Sequence, residues 1–142
     1  MRFTRLDIPD LLLEEIIVHA REETPLECCG LLAGSITDGV ALVTARYGIV
    51  NAVRSPTEYE TDARGMLFAF RAMRERGVEL LAVYHSHPAS EPVPSRRDID
   101  RNTYGESVVH VIVSLAGAEP EVRAWWLGET GFHEAPFEVA GI

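Results

Sequence analysis

Two kinds of hydrophobic pattern succeed one another along the chain and set out its elements. From Ile8 to Arg21 apolar residues recur at helical spacing: Leu12, Ile16, His19 and Ala20 fall on one side, with Leu13 and Ile17 beside them. Asp7 or Asp10 would cap this first helix, Pro9 and the acidic Glu14 and Glu15 suit its start, and Thr24-Pro25 would end it. His19 reads as a helix-face residue near the C-terminal end, where a positive charge is favourable. The pattern then changes to strands. Cys28 to Ile36 is apolar and punctuated by glycine, Thr37-Asp38-Gly39 is a hairpin turn, and Val40 to Ala52 returns as a longer strand.

Ser55 to Glu60 reads as a turn and short strand. A second helix follows from about Asp62 to Arg76, with Met66, Phe70 and Met73 buried, Arg64, Arg71, Arg74 and Glu75 outside, and Gly77 as its C-cap. Leu80 to Tyr84 is a buried strand that runs directly into His85. After Pro94, Ser95-x-x-Asp98 has the form of a capping box opening a short helix. Val108 to Ser114, Glu121 to Leu127 and Phe132 to Val139 are three further strands, separated by turns at Gly117–Pro120 and Gly128–Gly131. His110, inside the first of these, reads as a hydrogen-bonded core or supporting histidine, and His133 as a solvated strand residue. No repeat, linker or low-complexity segment interrupts 1–142, which is expected to form a single domain.

The chemistry concentrates in residues 84–98. On a strand, residues two apart point to one face, so His85 and His87 can converge. Asp98 lies eleven residues on, across a loop carrying Pro88, Pro92 and Pro94. Two imidazoles and one carboxylate make a three-ligand set, which suits a zinc ion with its fourth position left open, whereas a structural zinc is normally closed by four protein ligands. If Asp98 is a ligand, it is not expected to serve fully as the capping-box carboxylate as well. Cys28 and Cys29 are adjacent, so on a strand they face opposite ways and cannot easily bridge each other. Cys29 shares the face of Glu27 and reads as a small core residue, not a ligand. Taken alone, Glu27 would be a solvated strand start.

Bulk properties narrow the function classes. The net charge of −9 argues against non-specific nucleic-acid binding. No run of 18 apolar residues occurs, so no membrane span is expected, and the N-terminus lacks the apolar stretch of a signal peptide. A cytoplasmic protein is the expectation, and two cysteines without a disulfide framework fit a reducing compartment. All 13 basic residues are arginine; a GC-rich genome explains that, and so would avoidance of lysine by an enzyme acting on lysine-linked conjugates.

His85-x-His87-Pro88, six intervening residues, then Ser95-x-x-Asp98, resembles the JAMM (MPN-plus) zinc metalloprotease motif. Glu27, in Pro25-Leu26-Glu27-Cys28-Cys29-Gly30, stands where the short stand-alone bacterial members carry their upstream glutamate, and Asn51 to Tyr59 extends the match. The resemblance covers about Leu12 to Val139. It implies an α/β fold of the α+β type: a mixed β-sheet or partial barrel flanked by helices, the cytidine-deaminase-like JAMM/MPN fold. It implies one Zn²⁺ held by His85, His87 and Asp98, Glu27 as the group that moves the proton, and Ser95 as an oxyanion donor. The implied partner is a ubiquitin-like, ThiS/MoaD-like sulfur-carrier protein with a C-terminal Gly-Gly, cut after that tail to release an amino acid such as cysteine. An exposed strand edge would support a homodimer. Two alternatives keep the fold: an isopeptidase removing ubiquitin-like modifiers from lysines, and a non-catalytic MPN-type scaffold. RadC-type DNA-repair-associated proteins share the histidine stretch but lack the Glu27–Gly30 segment. A zinc nucleoside deaminase would need His-x-Glu with Pro-Cys-x-x-Cys, and neither occurs.

Overall fold

The computed structural model describes residues 2–141. Its elements are β1 (Arg5–Pro9), α1 (Asp10–Glu23), β2 (Cys29–Thr37), β3 (Val40–Ile49), α2 (Ala63–Arg76), β4 (Glu79–His87), α3 (Arg96–Asp100), β5 (Val109–Ser114), β6 (Glu121–Leu127), β7 (Phe132–Glu134) and β8 (Phe137–Ala140). The strands form one mixed sheet in the order β7-β6-β5-β4-β2-β3-β1-β8. Pairing is antiparallel for β2–β3, β2–β4, β5–β6 and β6–β7, and parallel for β1–β3, β1–β8 and β4–β5. The two end strands are separated in sequence only by Ala135 and Pro136, so the sheet must curl until its edges approach one another. The mixed sheet and partial barrel expected from the resemblance are present.

The first element is a strand, not the helix that the apolar spacing suggests. Leu6 and Ile8 alternate with partly exposed neighbours and are fully buried. Their alternation is only five residues long and runs straight into Leu11-Leu12-Leu13, which masks the change of period. Neither Asp7 nor Asp10 caps α1. Asp7 accepts from Arg5 at 2.8 Å, Asp10 is the first helical residue, and extended Pro9 holds the cap position with no side-chain bond.

The hairpin lies where the turn residues put it, with Asp38 and Gly39 both at positive φ (51° and 79°), the geometry of a two-residue primed turn. β3 ends at Ile49, three residues short of the expected Ala52. The segment that follows is a loop with one bridge, Asn51 to Thr61, and contains no short strand. Gly77, in the left-handed region, closes α2 as expected, and the Asp62 carboxylate caps its start by accepting from the Gly65 N–H. Its buried stripe is rotated, however: Ala69 and Met73 are buried, and Phe70 lies 39% exposed. Pro136 splits the last expected strand, sending β7 to one end of the sheet and β8 to the other.

The two faces of the sheet have separate cores. Cys28, Leu32, Ala82 and Tyr84 pack with Ile16 and Ala20 of α1, whereas Cys29, Leu31 and Val83 pack with Ala69 and Met73 of α2. Adjacent cysteines therefore do face opposite ways, as the strand period requires. On the α1 side, His19 does not act as a helix-end cation. Arg46 donates to the Tyr84 hydroxyl (2.8 Å), which sits 2.7 Å from His19 Nδ1. Burial, aided by the Arg46 charge, lowers the His19 pKa.

Tyr84 also explains Gly30, since a Cβ there would lie 2.2 Å from the tyrosine ring. Gly30→Ala is expected to lower stability by about 1–3 kcal/mol or more through overpacking, read as a lower urea midpoint. Gly30→Ala combined with Tyr84→Phe would recover little, because the clash is with ring carbons as well as with the hydroxyl.

Candidate metal centre and cleft

β4 carries both histidines. It extends to His87, beyond the Tyr84 end read from the sequence, because its pairing with parallel β5 continues through His85–Ile112 to His87–Ser114. On its other side Cys29 is paired with His85. Continuing that antiparallel register by two residues sets Glu27 opposite His87. The Cys28 N–H donates to Ser86 Oγ (2.8 Å) and the Ser86 N–H returns to the Cys28 carbonyl (3.1 Å), which clamps the start of β2 to the histidine strand.

The Pro-rich loop is held carbonyl by carbonyl. Ser114 Oγ donates to Ser90 O (2.6 Å), His87 Nδ1 to Glu91 O (2.7 Å) and Trp125 Nε1 to Pro92 O (2.8 Å). Val93 and Ile99 pack on Ile112, Trp125 and Leu127. These contacts present Ser95 and Asp98 to the histidines. Asp98 Oδ2 lies 3.2 Å from His85 Nε2 and 3.3 Å from His87 Nε2, and the two nitrogens are 3.2 Å apart.

The same oxygen accepts from the Ser95 N–H (2.8 Å), while Ser95 Oγ accepts from the Asp98 N–H (3.1 Å). The capping box and the approach to the histidines therefore fall on one carboxylate oxygen. The box orients Asp98 from its backbone side and leaves its second face turned to the imidazoles. Ser95 Oγ is used as an acceptor, and its own proton has no recorded acceptor among the described residues.

Donor chemistry fits a cation at this point. Because His87 Nδ1 donates to a carbonyl, its neutral tautomer turns a bare Nε2 lone pair toward the Asp98 carboxylate. Three ligand atoms (both Nε2 and Asp98 Oδ2) then converge, all within 4.8 Å of one another. Without a metal, protons must fill that role. Burial opposes charge on His87, but the Asp98 hydrogen bond, the Glu91 carbonyl and the charge of Asp98 outweigh it and raise its pKa. Burial likewise opposes charge on Asp98, yet His85 and the histidine hydrogen bonds hold its carboxyl well below the usual range. His85 Nδ1 is buried without a partner, and Tyr59 stacks on the same ring at 4.6 Å.

Glu27 is 3% exposed, and its Oε1 has no hydrogen-bond partner. Burial pushes its pKa up to about 8, against a smaller downward pull from His87. It is therefore no solvated strand start. Glu27, His87 and Ser95 line one open cleft of about 500 Å³, with Thr57 and Arg97 at its side. All five residues singled out in the sequence are thus brought together. Cys29 is not: its thiol donates to Ile49 O at 3.4 Å within the α2-side core, and burial raises its pKa to about 12. His110 is buried as expected but is not hydrogen-bonded at Nε2.

Asn51 has a larger part than its sequence setting signals. Its Nδ2 donates to Glu27 O and Glu58 O (both 3.1 Å), and its Oδ1 accepts from the N–H groups of Val53 (3.2 Å) and Glu60 (3.1 Å). One buried amide thus shapes the loop over the cleft and ties it to the backbone of Glu27. Arg97 of α3 and Arg101 just beyond it complete the tie through Glu58, at 3.6 and 3.0 Å.

Residues 9–128 match the family described as prokaryotic homologs of the JAB domain. The chain belongs to that family. This JAB-domain chain is 31% identical over 128 residues to the CysO-cysteine peptidase of Mycobacterium tuberculosis, covering 90% of this chain and 86% of the relative. It is 38% identical over 125 residues to a probable TtuB-protein conjugate cleaving protease of Thermus thermophilus (87% and 77% covered) and 34% identical over 122 residues to a desampylase of Haloferax volcanii (82% and 86%). A solution structure of a Desulfitobacterium hafniense protein superposes with a TM-score of 0.87 at 30% identity, covering 96% of this chain and 94% of the other. The JAB-type fold is thereby established. No helix among the described residues is long and apolar enough to cross a membrane.

Proposed function

We propose that this JAB-domain protein is a zinc-dependent peptidase that hydrolyses the bond after the C-terminal Gly-Gly of a ubiquitin-like sulfur-carrier protein and releases an attached amino acid such as cysteine. One observation carries the reading: His85, His87 and Asp98 converge beside a cleft that holds a buried, partnerless carboxylate. The names of the relatives supply the substrate class.

His85, His87 and Asp98 would hold the ion. Bound there, zinc supplies a Lewis acid and brings the pKa of water from ~15.7 to about 7. Glu27 takes the proton from the attacking water and passes it to the leaving amine. Its raised pKa suits both halves of that task, since the cation favours the ionised base and burial favours the protonated acid. Ser95 keeps a free O–H with which to meet the developing oxyanion; losing such a donor typically costs on the order of 10²–10³ in rate. A Gly-Gly end suits the site because it brings no side chain against the loop held by Asn51.

Intact mass of a sulfur carrier extended by one cysteine after Gly-Gly provides the test, run beside a carrier joined to a lysine side chain. Loss of one cysteine, abolished by chelator, is expected. Cleavage of the lysine conjugate alone moves the protein to the deconjugating reading suggested by the desampylase relative. Cleavage of neither, by protein that holds zinc, overturns the carrier assignment.

A further inference from the structure

A second cavity of about 410 Å³ adjoins the cleft across the candidate metal ligands. Asp98 lines its near end, and Tyr59, Val83, Tyr104 and His110 line its interior. Arg97 is the one residue common to both depressions, held between them by Thr57 (3.1 Å) and Glu58. A chain passing from cavity to cleft would therefore cross the metal ligands beside Arg97. Proton transfer fixes the direction of that chain. Glu27 must protonate the leaving amine, so the leaving group lies on the Glu27 side and the acyl part of the substrate lies in the cavity.

His110 makes this cavity more than a passage. It is 2% exposed, Nε2 has no hydrogen-bond partner, and Tyr104 meets its ring edge-on. A partnerless buried nitrogen is costly unless a ligand satisfies it. Tyr59, Val83 and Tyr104 around it offer apolar surface. The sheet register sets its distance from the chemistry. His110 pairs with Val83, one strand across from His85 and two residues back along it. At roughly 3.3 Å per residue and ~4.8 Å between strands, that is about 8 Å. An extended tail reaches about 7–10 Å at its third residue from the scissile bond. The last two residues of a Gly-Gly tail have no side chains, so the third is the first that can fill the cavity.

We propose that this cavity is a specificity subsite for the third residue from the cut bond, taking a large side chain with an apolar body and a hydrogen-bonding tip that meets the His110 imidazole. The inference rests on the carrier-tail reading above and adds which tails are chosen. Burial lowers the His110 pKa to about 4, so near neutral pH the ring is uncharged and its nitrogens offer one donor and one acceptor, the complement of a tyrosine hydroxyl.

Fluorescence anisotropy of labelled tail peptides ending Tyr-Gly-Gly, Phe-Gly-Gly or Ala-Gly-Gly, bound to chelator-treated protein, reads the subsite without catalysis. The tyrosine peptide is expected to bind about tenfold more tightly than the phenylalanine peptide, and alanine more weakly than both. His110→Leu should bring tyrosine down to the phenylalanine level, and His110→Gln should restore part of the difference. Cleavage of the same peptides, each extended by cysteine, is measured on zinc-loaded protein. Equal binding of all three peptides, with cleavage intact, overturns the subsite alone; so does a tyrosine preference that survives in His110→Leu. Neither binding nor cleavage of any peptide overturns the subsite together with the reading beneath it. Should His110→Leu fail to fold, the three-peptide series on the unmodified protein still decides.

Discussion

Glu27→Gln is expected to lower cleavage by on the order of 10²–10⁴ while the protein keeps its fold and its zinc. The amide fills the same space but cannot accept a proton from water or return it to the leaving amine. A second consequence separates this variant from a merely disabled one. In the metal-free protein, burial raises the Glu27 pKa from 4.5 to about 8, so folding favours the protonated form. That contribution is complete below about pH 4.5 and is lost as pH rises through about 8. Above it the buried carboxylate costs on the order of 3–5 kcal/mol. Chelator-treated protein should therefore lose urea stability between pH 5 and pH 9, and Glu27→Gln should remove the part due to this carboxylate and leave the part due to His87, whose pKa is also raised. A Gln variant with full activity, or with the unmodified pH slope, would contradict the role given to Glu27.

Replacement of Asp98 separates the two tasks that fall on one oxygen. Asp98→Ala removes the carboxylate facing both histidines and the acceptor for the Ser95 N–H. Zinc binding and cleavage should fall by at least on the order of 10², and loss of the acceptor for the Ser95 N–H should cost about 0.5–1.5 kcal/mol. Asp98→Asn keeps an amide oxygen for the Ser95 N–H but loses the charge, so it should retain α3 and still lose zinc. The pH dependence carries the opposite sign to that of Glu27. The Asp98 pKa is held down, so its stabilising contribution is present above about 3.8 and disappears as pH falls below that. Zinc titration by calorimetry, with urea unfolding of both variants, tests the separation. Equal zinc affinity in Asp98→Asn and the unmodified protein would remove Asp98 from the ligand set.

How much of this was legible in the sequence depended on the range of the interaction. The convergence of His85 and His87 follows from strand period alone, and the end of α2 follows from Gly77. Glu27 was legible only through the resemblance, because its burial depends on β2 pairing with a strand some 50 residues later in the chain. β1 was hidden because a five-residue alternation adjoins a leucine run, and the break at Pro136 because β7 and β8 find partners at opposite ends of the sheet. Asn51, Trp125 and Ser114 act through backbone groups of distant loops, which no spacing rule encodes. That one oxygen of Asp98 both accepts the Ser95 N–H and faces the imidazoles is a matter of side-chain orientation, which the Ser95-x-x-Asp98 pattern does not encode.

The proposed hydrolysis depends on a metal held by His85, His87 and Asp98. Its most direct measurement is the rate of cysteine loss from the extended carrier, followed by intact mass, as zinc is titrated into chelator-stripped protein. No cleavage is expected in the stripped protein, and a rise that saturates at one zinc per chain and is absent from Asp98→Ala. Cleavage that persists without metal, or one bound zinc per chain with no hydrolysis of any carrier-tail substrate, would contradict it.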